Sequence, residues 1–293
     1  MKKVVFLALL PALYLSLSAP AHAWWPQGHS IIAQAAAQGL PEEVPSWFRK
    51  GTGQIGHDAQ DPDVQKNRDL PFMSDAEGPR HYIDLELLQG RPLPATLKGF
   101  YQLCAELKLD PANVGEAPYA IAQETQRLTM IFAEARRYPK NRYIRTKALV
   151  AAGVLSHYSG DLCMPLHTTV HHDGRALPDG TSPKTGIHVK VDSLIEKLGL
   201  KPKALAQGQQ PQAFPALFPA IEAELQKSRT HIDRTYALES QLPPATGDWK
   251  PSPEIQAFTV ERARASTNFT ASLFLTAWRD SAKIKLPTWL VRE

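Results

Sequence analysis

Apolar residues recur every three to four positions over most of the chain, while strictly alternating stretches are short and scarce. A period near 3.6 gathers an apolar stripe on one side of a helix; a strand would need a period of 2. The pattern predicts helices over 31–40, 93–107, 118–138, 143–162, 188–200, 214–239 and 253–281. Stretches punctuated by proline and glycine at 51–80, 168–186 and 202–213 read as loops. The segment QLPPATGDWKPSP (241–253) isolates the last helix but is too short to mark a second domain. With no repeat and no low-complexity tract, the expected fold is all-α, a single helical domain.

The first 23 residues follow another logic. Lys2 and Lys3 precede an apolar run over 4–18, and Ala21-His22-Ala23 has the small-x-small form of a signal cleavage site. The run is too short for a convincing membrane span. The expectation is a signal peptide over 1–23 and a secreted or periplasmic domain over 24–293 that starts at Trp24, without a stable membrane anchor. Cleavage would leave 270 residues and, by removing two lysines and no acid, lower the formal charge from +4 to +2. No Lys/Arg run marks a nucleic-acid patch, so charge alone selects no partner. Cys104 and Cys163 remain, either as a pair or as two buried thiols.

Nine histidines would stay in the cleaved chain, and five of them stand in patterns that make chemical sense together. In "SHYSGDLCMPLH", His157 and Asp161 lie four residues apart near the end of a helical segment. That spacing places imidazole and carboxylate on one face, one turn apart. Pro165 ends the helix and frees His167 to turn elsewhere. "GIHVKVD" repeats the device with His188 and Asp192, "PRHYIDLE" offers His81, and "DAQDPDVQK" offers Asp58, Asp61 and Asp63. Imidazole with carboxylate, and no thiolate, suits zinc in a hydrolytic site. No G-x-S-x-G, phosphate loop or C-x-x-C competes with that reading. His171 and His172 read as solvated loop residues, and His57 and His231 as surface or capping residues.

"HYSGDLCMPLH" resembles the central motif shared by the bacterial zinc-dependent phospholipases C and the secreted zinc-dependent single-strand nucleases. That resemblance implies an all-helical domain holding three zinc ions, with the amino group and carbonyl of a terminal tryptophan among the ligands. Carried over residue by residue, Trp24 and His29 would share one zinc with Asp161. Asp161 would bridge to a second, held by His81, His157 and an acid from the 58–63 loop. Its "AQDPDVQK" favours Asp63 with Lys66, leaving Asp58 and Asp61 as alternatives. His167, His188 and Asp192 would hold the third. In catalysis Asp63 would orient water, Lys66 would neutralise phosphoryl charge, and Asp161 would join the two ions.

The spacing from Trp24 to His29 and the aspartate at 192 resemble the nuclease branch. "HYIDLE" also resembles its base-binding segment, with Tyr82 stacking on the base and Asp84 bonding its edge. Tyr158, Cys163 and Met164 depart from the nuclease pattern, and Tyr158 is typical of the phospholipase form. The resemblance implies a monomeric zinc endonuclease for single-stranded DNA or RNA, with 3′-nucleotidase activity and nucleotides as further substrates. The alternative is a phospholipase C acting on phospholipid head groups.

Overall fold

The computed structural model describes residues 24–244 and 246–292; the expected signal peptide over 1–23 lies outside them. The regular secondary structure of the described residues is all helical, with no strand among them and one isolated bridge between His172 and Gly174. Before the first long loop, besides a single turn at Ser46–Arg49, lie α1 (Pro26–Gln38), α2 (Thr52–Asp58), α3 (Asp61–Gln65) and α4 (Pro71–Glu77). The long elements follow as α5 (Leu97–Leu107), α6 (Ala117–Arg137) and α7 (Arg142–Leu162). Then come the short α8 (Ile187–Asp192), α9 (Leu217–Arg229) and the 29-residue α10 (Pro253–Ser281).

Local signals explain where the long helices start. The Asn141 side chain accepts from the backbone N–H groups of Tyr143 and Ile144, which caps α7. Ser252 accepts from Ile255 ahead of α10, whose first residue is Pro253. Helices α6, α7 and α10 pack on one another with α1 and α2 against α7. Phe48, Phe132 and Phe274 meet edge to face in the main core, and all three are fully buried.

One close approach sets up the site. A Cβ on Gly153 of α7 would stand 2.6 Å from Asp58 Cβ and 2.8 Å from the Ile55 carbonyl oxygen. Glycine therefore lets α2 lie directly against α7. That contact brings the Ala59 carbonyl within 2.7 Å of His157 Nδ1.

Four expectations need correction. The stretch 51–80, read as a loop, contains α2, α3 and α4, and 202–213 contains a turn of helix at Pro202–Ala206. Pro62, Pro71 and Pro202 sit in first turns, where a missing N–H costs nothing, so these prolines start helices. The helix expected over 188–200 breaks at Ser193, whose hydroxyl donates to the Lys190 carbonyl. The one expected over 214–239 divides into α9 and Ile232–Ala237.

Candidate metal centre

Helix α7 delivers His157 and Asp161 from its last turns into a fully buried position. His29 arrives from the first turn of α1, Asp63 from α3, His81 from a 3₁₀ turn over Gly78–His81 and His167 from one over Pro165–Thr168. His188 and Asp192 come from α8. Among the described residues three groups of possible ligands result: His29, His157 and Asp161; Asp63, His81 and His157; His167, His188 and Asp192. Within each group the ligand atoms lie within 4.8 Å of one another.

The hydrogen bonds around the rings leave the right atoms inside. His157 Nδ1 donates to the Ala59 carbonyl, His167 Nδ1 to the His81 carbonyl at 2.7 Å, and His188 Nδ1 to the His172 carbonyl at 3.1 Å. Each Nε2 then carries a lone pair facing the group, as a ligating imidazole requires. His81 is turned the other way: its Nε2 meets Glu77 Oε1 at 3.2 Å and its Nδ1 faces inward.

Two donors on one tetrahedral zinc, each about 2.0–2.1 Å from it, stand about 3.3 Å apart. The separations found are 3.2 Å for His29 Nε2 to Asp161 Oδ1 and 3.2 Å for His188 Nε2 to Asp192 Oδ2. His157 Nε2 is 3.7 Å from Asp63 Oδ1 and 3.0 Å from His81 Nδ1. Asp161 gives one oxygen to each side, Oδ1 toward His29 and Oδ2 toward His81 at 3.0 Å and His157 at 3.4 Å. Both oxygens of Asp192 are buried with no hydrogen-bond donor. A buried carboxylate without donors is costly unless a cation compensates it, and this donor set fits zinc.

Electrostatics follow burial. Desolvation, reinforced by His29, pushes His157 down to about 3, and desolvation pushes His167 down to about 4. Burial also lowers His188 and, together with Asp161, raises Asp192. Burial opposes ionisation of Asp161 too, but His157 and His29 outweigh it and hold this carboxyl well below its usual range.

The remaining sequence candidates fall into place around these groups. Asp58 accepts from Gln54 through both oxygens, at 2.9 and 2.8 Å, and neither Asp58 nor Asp61 belongs to a group. Lys66 Nζ lies 2.6 Å from Asp63 Oδ1. Trp24 is fully buried; its indole donates to the Gly160 carbonyl at 3.2 Å, beside Asp161, and the next N–H, of Trp25, donates to the Asp192 carbonyl.

A cleft of about 530 Å³ opens over the centre, lined by Lys66, Arg68, His81, Tyr82, Asp84 and His172 among others. Tyr82 is a fixed wall whose hydroxyl donates to the Ala112 carbonyl at 2.7 Å. Gly115, at φ 91°, passes so close that a Cβ there would overlap the Tyr82 backbone. Burial and the nearby Glu86 raise Asp84 to about 7. His172 is therefore no solvated bystander: it lines the cleft, and its carbonyl orients His188, although its ring joins no ligand group.

Two features escaped the sequence reading. Glu77 is buried, bonds His81 and accepts from the Tyr158 hydroxyl. Its position four residues before His81 on a short helix was the available signal. Arg68 of the cleft carried no signal at all. Cys104 and Cys163 are both buried free thiols.

Fold and site together define an all-helical protein with a three-part histidine–aspartate centre beneath an open cleft. No family model and no curated protein matches the chain. Among solved structures it is similar to the alpha-toxin of Clostridium absonum at 14% identity, over 90% of this chain and 68% of the toxin, with a TM-score of 0.47. The alpha-toxin of Clostridium perfringens from the avian strain SWCP is similar at 14% identity, over 88% and 65%, with a TM-score of 0.44. The chain thus spans about two thirds of the length of either toxin. A likeness at this level assigns no activity.

Proposed function

We propose that the chain is a zinc-dependent phosphodiester hydrolase with three ions: one held by His29 and Asp161, joined by the Trp24 amino group once the chain is cut before it, a second by Asp63, His81, His157 and the other oxygen of Asp161, and a third by His167, His188 and Asp192. The carrying observation is that cationic Lys66 and Arg68 share one cleft with His81, His167 and His188 of the centre. An anionic phosphoryl group entering that cleft would meet positive charge and the candidate ligands at once. Hydrolysis joins a water oxygen to phosphorus and breaks the bond to the leaving alcohol, which takes up the proton. Bound zinc would supply Lewis acidity and positive charge at the phosphoryl group. Lys66, steadied by Asp63, neutralises charge that develops on the phosphoryl oxygens, and Asp63 orients the water.

A phospholipid head group is the substrate reading that the centre supports best. Of the residues that depart from the nuclease pattern, Tyr158 is built into it: buried on α7, it bonds the carboxylate that steadies His81, while Cys163 and Met164 are buried in the cores. The nuclease reading of the sequence gains no support from the comparisons. It rests on Tyr82 and Asp84, which do line the cleft.

The test is hydrolysis of a small phosphodiester bearing neither base nor acyl chain, of phosphatidylcholine vesicles and of single-stranded DNA, each with chelator and with zinc restored. Chelator-sensitive hydrolysis of the small ester, with the phospholipid preferred over DNA, is expected. Preference for DNA would return the chain to the nuclease reading. Zinc-loaded protein inert toward all three would overturn the enzyme reading.

A further inference from the structure

Between the cleft-lining residues Arg68 and Ser74 the chain makes an excursion that carries Leu70, Phe72 and Met73. Their exposures are 53%, 96% and 44%. Three large apolar side chains within four positions are costly to leave in water, and such patches mark binding surfaces. The excursion is a built turn. Asp69 N–H donates to Asn67 Oδ1 at 2.9 Å, Leu70 N–H to the Asn67 carbonyl at 3.0 Å, and Ser74 N–H to the Leu70 carbonyl at 2.9 Å, where α4 begins. The backbone is thus satisfied locally while the side chains point away from the core.

The order of chemistry along the turn identifies what it meets. Large apolar side chains are exposed at positions 70, 72 and 73, and cationic Lys66 and Arg68, just before them in the chain, line the adjoining cleft. A phospholipid surface offers the complementary order, with acyl chains inside and phosphates outside. We propose that Leu70, Phe72 and Met73 form an interfacial docking element that enters the outer acyl region of a phospholipid surface and seats the cleft over the phosphate layer. Aromatic and aliphatic side chains partition there readily, and neighbouring Lys and Arg reach back to the phosphates. A single-stranded nucleic acid would reward the basic residues but not an aliphatic tip. This inference rests on the phosphodiester hydrolase reading and names the physical state of its substrate.

The experiment compares the wild-type chain with the triple variant Leu70→Ser, Phe72→Ser, Met73→Ser. Three readouts are taken: hydrolysis of the small phosphodiester, co-sedimentation with mixed phosphatidylcholine–phosphatidylglycerol vesicles, and release of head groups from those vesicles. All three side chains are exposed and none lines the cleft, so fold and small-ester hydrolysis should be unchanged. Vesicle binding and vesicle hydrolysis should each fall by about tenfold or more. Equal vesicle binding by both proteins overturns the proposal. So does a wild-type dimer that the variant lacks, or a loss confined to DNA binding, since each names another occupant. Wild-type protein that sediments with vesicles through this turn, yet hydrolyses no phosphodiester, would leave docking intact and overturn the enzyme reading alone.

Discussion

His167 and His188 present their Nε2 atoms to each other at 2.9 Å, while each engages a backbone carbonyl through Nδ1. Two imidazole lone pairs at that distance repel unless a cation lies between them. Asp192 Oδ2, 3.2 Å from His188 Nε2, completes one side of that position. The carboxylate is fully buried and the two rings nearly so, and a bound cation would resolve the conflict.

Asp161 and His188 differ in how many groups they serve. Asp161 directs one oxygen to His29 and the other to His81 and His157, whereas His188 belongs to one group. Asp161→Asn should therefore lower kcat by about 100-fold or more and His188→Ala by about tenfold, the range found when a metal's surroundings are disturbed. Metal content should fall further in Asp161→Asn. Equal and mild losses in both variants would show that Asp161 does not bridge.

Tyr82 should act on the organic part of the substrate and leave the phosphoryl group alone. Its ring forms a cleft wall, and its backbone is held by Gly115 independently of the ring. Tyr82→Ala should leave zinc content and small-ester hydrolysis unchanged. Any substrate group seated against the ring should lose binding, by about 1–3 kcal/mol if it is a nucleobase. Equal losses on every substrate would reduce Tyr82 to a support for its neighbour His81.

Asp84 gives the protein a pH signature. Burial raises its carboxyl from 3.8 to about 7 in the folded protein, so between those values the folded state holds a proton that the unfolded state has lost. Stability from this group is thus present at low pH and declines as pH rises toward about 7. Asp84→Asn, which mimics the protonated form, should be more stable than wild type at about pH 8 and nearly equal to it at about pH 4. Denaturant unfolding at the two pH values checks this, and a gain of the same size at both would contradict it.

Much of the centre was legible because helical spacing is itself geometry. The pairs His157–Asp161 and His188–Asp192 stand on single helices, and i, i+4 placement fixes their neighbourhood before any tertiary contact forms. Long periodic segments such as 253–281 were legible for the same reason, and α10 occupies that span. The helices between 52 and 77 were not, since one or two turns cannot display a period and their prolines look like breakers. Nor could spacing reveal that Gly153 lets α2 touch α7, or that Arg68 lines the cleft. Those relations join residues through tertiary packing, which no local pattern encodes.

The position of Trp24 makes the expected cleavage testable. Its indole is pinned to the Gly160 carbonyl, and Trp25 is bonded to the Asp192 carbonyl, so Trp24 itself is held directly beside the centre. A form beginning at Trp24 should outperform one that keeps Ala-His-Ala ahead of it. The extended form should show the same helical circular dichroism, bind about one zinc fewer and lose at least about tenfold in activity. Trp24→Ala should do less harm, because the amine and carbonyl survive. Full activity and full zinc content in the extended form would show that the amine is not a ligand.

The most direct test of the account is metal content measured alongside activity on one preparation. Protein beginning at Trp24 should carry about three zinc ions per chain by elemental analysis, as expected for three neighbouring sets of histidine and carboxylate donors. Exhaustive chelation should abolish hydrolysis of the small phosphodiester while leaving most helical signal, and zinc should restore it. Metal-free protein that remains fully active would contradict the account.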